Sequence, residues 1–176
     1  MSPTRTLIAG LISASIAGPA FAQCMQPAER PAFAISALQS QLMVQALICQ
    51  QQDDYNRFMT THRSVVFGAY TDVQRHFRRA GGPRAYDAYS TNTANIHSQV
   101  GISQGSLYCA NQQSLFPAAL AARTRDELAN LAQERQIRRA YEPALCGSTT
   151  TAAARGPRAE RPARPAAAAR PATPRS

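Results

Sequence analysis

Residues 53–83 read DDYNRFMTTHRSVVFGAYTDVQRHFRRAGGP, and this stretch decides the fold class. Tyr55, Phe58, His62, Val66, Tyr70, Val73 and Phe77 recur at steps of three or four, with Met59 and Phe67 widening the stripe. That spacing is one face of an α-helix. Asp53 and Asp54 stand where carboxylates accept orphan amide hydrogens and meet the positive end of the helix dipole. Arg75, Arg78 and Arg79 fill the last turns, where cations are favoured, and Gly81-Gly82-Pro83 breaks the pattern. A single helix from 53 to 79 is predicted.

The same period continues on both sides. From Pro31 to Gln50 the residues Ile35, Leu38, Leu42, Ala46 and Cys49 form one helix face, and Pro31 suits a first turn, where its missing N–H has no partner to lose. A third helix starts near Pro83 and runs through Tyr86, Tyr89, Thr93, Ile96, Val100 and Ser103; Gly101 and Gly105 weaken its end. The capping box Thr124-Arg-Asp-Glu127 opens a fourth, with Leu128 and Leu131 on one face and Pro117 and Leu120 in a shorter preceding segment. The expectation is all-α: an up-down bundle of about four helices.

Residues 1–22, MSPTRTLIAGLISASIAGPAFA, have the tripartite form of a secretory signal peptide: Arg5, an apolar stretch from Leu7 to Ala17, then Ala20-Phe21-Ala22. The small side chains at Ala20 and Ala22 place the cut between Ala22 and Gln23. Cys24 follows Phe-Ala-Gln, whereas lipid attachment requires a small residue just before the cysteine. The expected location is periplasmic or secreted, and in such an oxidising compartment Cys24, Cys49, Cys109 and Cys146 read first as two disulfides. No C-x-x-C pair brings zinc ligands together, so no metal is expected. Four cysteines allow three pairings. In an up-down bundle the first and third helices end at one pole, while the start of the first and the end of the fourth share the other. This topology favours Cys49 with Cys109 and Cys24 with Cys146.

Three regions follow: a leader (1–22), a helical domain (23–146) and a tail (147–176). The tail holds six arginines, five prolines, ten alanines and one glutamate with no large apolar residue, so it cannot build a core and is expected to be disordered. Its charge dominates a chain of formal net charge +9, in which every basic residue is arginine. An anionic cell-envelope surface or an acidic protein is the partner such a tail suits; export removes nucleic acid from reach. No unbroken apolar run is long enough for a membrane span, so none is expected in the mature chain.

Catalytic chemistry is thinly represented. His62 and His76 lie fourteen residues apart on one predicted helix, about 21 Å in rise, too far to share a metal. His62 falls in the apolar stripe and reads as a core residue. His76, among arginines near a helix end, reads as a surface residue facing the dipole. His97, flanked by Asn95 and Gln99, marks a candidate polar ligand pocket between the second and third helices, with Asn95 as its neighbour. Tyr55, Tyr70, Tyr86 and Tyr89 lie on predicted buried faces. No G-x-G-x-x-G, Walker loop, H-E-x-x-H or G-x-S-x-G occurs. No catalytic residue or cofactor is assigned, and a non-enzymatic binding or envelope-associated module is expected, with a small enzyme or ligand carrier at the Asn95/His97 pocket as the alternative.

LQSQLMVQALIC (38–49), YNRF (55–58), HFRRAGGP (76–83), Tyr86-Asp87, Thr93 with Asn95, and Tyr108-Cys109 together make the chain resemble a family of small exported four-cysteine α-helical proteins of proteobacteria, of unknown function. The resemblance covers roughly Cys24 to Phe116 and implies a stapled helical fold; the arginine-proline tail departs from it. Some similar proteins carry the label S-adenosyl-L-homocysteine hydrolase. That enzyme needs a strand, a glycine-rich turn and a helix to hold its dinucleotide, and this chain has neither the length nor the glycine fingerprint.

Overall fold

The computed structural model describes residues 24–147. The leader, its cut between Ala22 and Gln23, and the tail beyond Gly147 lie outside the described residues. Among those described, seven α-helices occur: α1 (Arg30–Cys49), α2 (Gln52–Thr61), α3 (Arg63–Arg79), α4 (Gly82–Gln104), α5 (Tyr108–Gln112), α6 (Leu115–Ala121) and α7 (Arg125–Glu134). The fold is all-α and stapled by two disulfides.

α1 is the axle of the bundle, with α3, α4 and α7 packed around it. Its periodic stripe accounts for only part of this role. Ala32, Phe33, Ala34, Ile35, Ala37, Leu38, Gln41, Leu42, Val44, Gln45 and Ala46 are all buried, so the helix is enclosed on nearly every side. The amide nitrogens of the buried glutamines are paired: Gln41 Nε2 donates to the Tyr108 hydroxyl (2.9 Å), and Gln45 Nε2 donates to Gln51 Oε1 (2.9 Å) and the Gln112 carbonyl (3.1 Å), while Gln45 Oε1 is buried without a hydrogen-bond partner among the described residues. The segment Pro27–Cys49 is long and apolar enough, by length and composition alone, to cross a membrane, and 67% of its apolar window is buried against the other helices. A core helix and a membrane span pass the same test of length and hydropathy.

The expected helix over 53–79 is two helices. His62, at φ −107° and ψ 20°, ends α2 and starts α3, and the break lets the halves separate: α2 leans on α6 while α3 lies along α1 and α4. Asp53 and Asp54 sit inside the first turn of α2 and make no capping bond; they face the dipole, and Asp54 pairs with Arg57. The Thr124 cap forms as expected, its hydroxyl accepting from the Glu127 amide (3.1 Å), but Glu127 Oε2 reaches back to the amide of Arg123. α4 runs through Gly101, where a Cβ would come 2.5 Å from Ile48 Cδ1. Here the missing side chain lets the ends of α1 and α4 approach.

Both favoured cross-links form. Cys49–Cys109 joins the end of α1 to α5, just past the end of α4, and Cys24–Cys146 joins the two ends of the domain. Beside the second, Met25 N donates to the Ala144 carbonyl (3.0 Å) and Cys146 N to the Met25 carbonyl (2.9 Å). Two disulfides in a small domain point to an oxidising, extracytoplasmic compartment.

After α7 the chain runs without helix from 137 to 146 as a strap across α3 and α4. Ala140 N donates to Thr93 Oγ1 (3.2 Å), His97 Nε2 donates to the Arg138 carbonyl (2.8 Å), and His76 Nε2 meets the Tyr141 hydroxyl (3.0 Å).

Candidate functional site

Three helix stripes face one another across an open cleft of about 480 Å³. α1 contributes Ser36, Gln39, Ser40 and Met43; α3 contributes Arg63, Val66, Phe67 and Tyr70; α4 contributes Tyr86, Tyr89, Ser90, Thr93 and Ala94; Met59 of α2 closes one end. Each set recurs at steps of three or four, so each is one face of its helix. Serines and an alanine at facing positions leave the space that larger side chains would fill.

Burial orders the cleft from floor to rim. Tyr89 and Thr93 are buried, Ser36, Ser40, Met43, Met59 and Tyr86 are half-buried, and Arg63, Phe67 and Tyr70 are exposed. Phe67 is 68% and Tyr70 44% exposed, large rings left in water at the rim, stacked on each other at 6.3 Å; Tyr86 meets Tyr70 edge-on at 5.9 Å. Burial pushes the Tyr89 phenol above its ordinary range, against smaller opposing effects of Ser36, Arg139 and Thr93. Burial likewise raises Tyr86, helped by Tyr70, Tyr89 and Asp87. Both hydroxyls stay protonated at neutral pH. That of Tyr89 is sealed from solvent and makes no well-aligned hydrogen bond, although the Ser36 and Thr93 hydroxyls favour its ionised form. Arg63 is the one charged residue in the lining, and among the described residues it makes no ion pair or hydrogen bond.

The cleft lies between the helices where a pocket was expected, but the residues expected to mark it do not line it. His97 is 1% exposed and stands behind the cleft wall. Its Nε2 donates to a carbonyl that can only accept, so its Nδ1 accepts from the Ser40 hydroxyl at 3.2 Å. Burial lowers the His97 pKa, the Arg138 carbonyl opposes this, and the Arg138 charge adds to it, which keeps the ring neutral at pH 7. His97 thus orients Ser40. Asn95 is exposed and faces away, into a separate shallow depression with Asn92, Gln99 and Arg138. Two residues apart on a helix cannot share a face.

His76 corrects the expectation of a surface residue. It is fully buried, its Nδ1 donating to Glu29 Oε2 (2.9 Å), with Phe33 edge-on at 5.1 Å. Glu29 Oε1 accepts from Arg79 (2.8 Å), and Oε2 also accepts from the Gln26 amide (2.9 Å). Burial pushes the Glu29 carboxyl up, but the hydrogen bonds from His76, Gln26 and Arg79 outweigh it and hold the pKa below the usual value. The arginines around His76 were legible; the carboxylate that turns it inward lies 47 residues earlier. His62 is buried, as its stripe position implied, against Phe58 at 5.1 Å. Among the described residues no three His, Cys, Asp or Glu side chains converge as metal ligands.

The cleft residues of α1 were missed because Ser36, Gln39 and Ser40 lie between the apolar positions 35, 38 and 42, where polar residues read as a solvated face. Phe67 and Tyr70 were assigned to the core; on the rim they are its most exposed rings. No protein-family model, no curated protein and no solved structure matches the chain.

Proposed function

We propose that this is an exported binding module, cut from its leader at Ala22–Gln23 and held in the periplasm near the cell envelope by its arginine-rich tail, and that it takes up a small molecule in the cleft between α1, α3 and α4. The observation that carries the reading is the cleft itself: a concave space with aromatic rings and methionines on its walls interleaved with small polar side chains and one arginine, in the size range of small-ligand sites. The proposed kinship with small exported four-cysteine proteins agrees with it. Binding is favoured over catalysis by the setting of Ser40. Although His97 accepts its proton, Ser40 lies in the middle of α1, where the nearby amides are committed to helix hydrogen bonds and cannot stabilise an oxyanion.

The test has two arms. Amide-resolved NMR of the mature protein with a library of apolar fragments should show shifts gathered on the cleft faces of α1, α3 and α4; shifts scattered over the surface would reject the cleft as the site. Retention on anionic vesicles should be salt-sensitive and lost on deleting residues 147–176. Equal retention without them would reject the tail's role.

A further inference from the structure

We infer that the ligand of this cleft is an amphipathic carboxylate, with its apolar body between the Met43/Met59 end and the Tyr86/Tyr89 wall and its anionic head at Arg63. The inference rests on the cleft being a binding site and adds the chemistry of what fills it.

Three observations carry it. First, size: about 480 Å³ falls within the range of small-ligand sites, room for a body of about ten to fifteen non-hydrogen atoms that leaves the mouth wet. Second, the lining: the two methionines are deformable and the rings are flat, so together they take a flexible chain or a planar ring. The lining is not greasy throughout, because Ser36, Gln39 and Ser40 of α1 and Ser90 of α4 belong to it. An alkyl chain passes over them.

Third, charge decides which head group is accepted. Arg63 stands at the rim with its guanidinium uncommitted; of the other α3 arginines Arg75 pairs with Asp72, Arg79 with Glu29, and Arg78, unpaired among the described residues, lies outside the cleft lining. No acidic residue lines the cleft. A carboxylate matches the fork of a guanidinium with two parallel hydrogen bonds, and at a half-open rim it keeps part of its hydration. A cationic head would meet Arg63 with no counter-charge in the lining. A neutral head would leave the arginine unused.

Isothermal titration of the mature protein with decanoate, decanol and decylammonium, three chains of one length and different charge, tests this directly. Decanoate should bind one to one, about tenfold tighter than decanol, with decylammonium weakest. Arg63→Gln should weaken decanoate about tenfold and leave decanol unchanged. Arg63 is exposed and unpartnered, so this variant keeps its fold. Ala94→Leu, which adds bulk to the wall, should weaken decanoate and decanol together. Equal binding of decanoate and decanol, indifferent to Arg63→Gln but sensitive to Ala94→Leu, would overturn the carboxylate while leaving the cleft in place. Decanoate binding that ignores Ala94→Leu would overturn the location, and no binding of any of the three would overturn the site and the inference together.

Discussion

The strap side and the cleft side of the bundle are built on the same helices, α3 and α4, and are finished in opposite ways. On the strap side the chain covers its own apolar surface: Tyr141 packs against Phe33, Phe77 and His76, and His76, Thr93 and His97 each find a partner in residues 138–141. On the cleft side Phe67, Tyr70 and Arg63 face water with nothing of the described chain laid over them. Polar groups that are buried and satisfied fix a structure; rings and a cation left uncovered at the mouth of a cleft are what a ligand can use. The comparison predicts that damage on the strap side unfolds the domain, whereas damage on the cleft side spares the fold and alters binding.

The largest effect belongs to the clamp at the end of the strap. Cys24–Cys146 closes a loop of 122 residues and Cys49–Cys109 one of 60. Replacing both members of the first pair with alanine should cost about 4 kcal/mol, measured by urea unfolding of the mature protein. The second pair should cost about 0.6 kcal/mol less, the difference for halving a loop. Equal or reversed costs would mean that the strap is held by its packing rather than by its terminal staple.

Next comes the polar anchor. Glu29→Ala removes the acceptor of His76, Arg79 and the Gln26 amide at once and should cost about 3 kcal/mol, because the buried His76 Nδ1–H is left unpaired. Decanoate binding to the folded fraction should be unchanged, since Glu29 is not among the residues that line the cleft.

That anchor also shows what the sequence could not reveal. The all-helical class, the Thr124 cap and the pairing of the cysteines follow from local spacing plus the topology of a bundle, and these are found, but the buried face of α4 runs through Tyr89, Thr93, His97 and Gly101 rather than on through Ile96, Val100 and Ser103. The inward turn of His76 was hidden, because its decisive neighbours Glu29 and Tyr141 lie 47 and 65 residues away in segments with no periodic signal. The break at His62 was hidden for a related reason: the apolar stripe keeps its spacing through the break, and both halves pack on α1, with α2 turned toward α6, far away in sequence. The cleft was half legible. Its helices were identified, but Asn95 and His97 were placed in one pocket although their spacing puts them on opposite faces.

Acid should act on the strap side in two stages. His97 has a folded pKa below its ordinary 6.5, so protons bind the unfolded chain first, and the stability it contributes at neutral pH should fall as pH drops below about 6.5. Glu29 has a folded pKa below its ordinary 4.5, so its contribution is present above that value and is lost as pH falls through the lower, folded one. Urea midpoints from pH 8 to pH 3 should trace both limbs. His97→Gln should flatten the upper limb and keep the lower; an unaltered upper limb would mean that His97 is not the group responsible.

The smallest effect on stability, and the sharpest on the comparison, belongs to Phe67→Ser. The ring is 68% exposed, so its loss should change the unfolding free energy measured in urea by no more than about 0.5 kcal/mol. A ligand seated against the rim would lose the apolar area that this ring and its stacked neighbour Tyr70 cover, worth about 1 kcal/mol, and decanoate should bind about fivefold more weakly. The carboxylate contact is made by Arg63, on the same side of α3 but one turn earlier, so the preference for decanoate over decanol should survive the change. Weaker binding with the preference intact would separate the two contributions of α3, the ring that shelters the chain and the guanidinium that selects the head. Unaltered affinity would place the chain wholly on the floor, against Tyr89 and the methionines, and leave the exposed rings to another role.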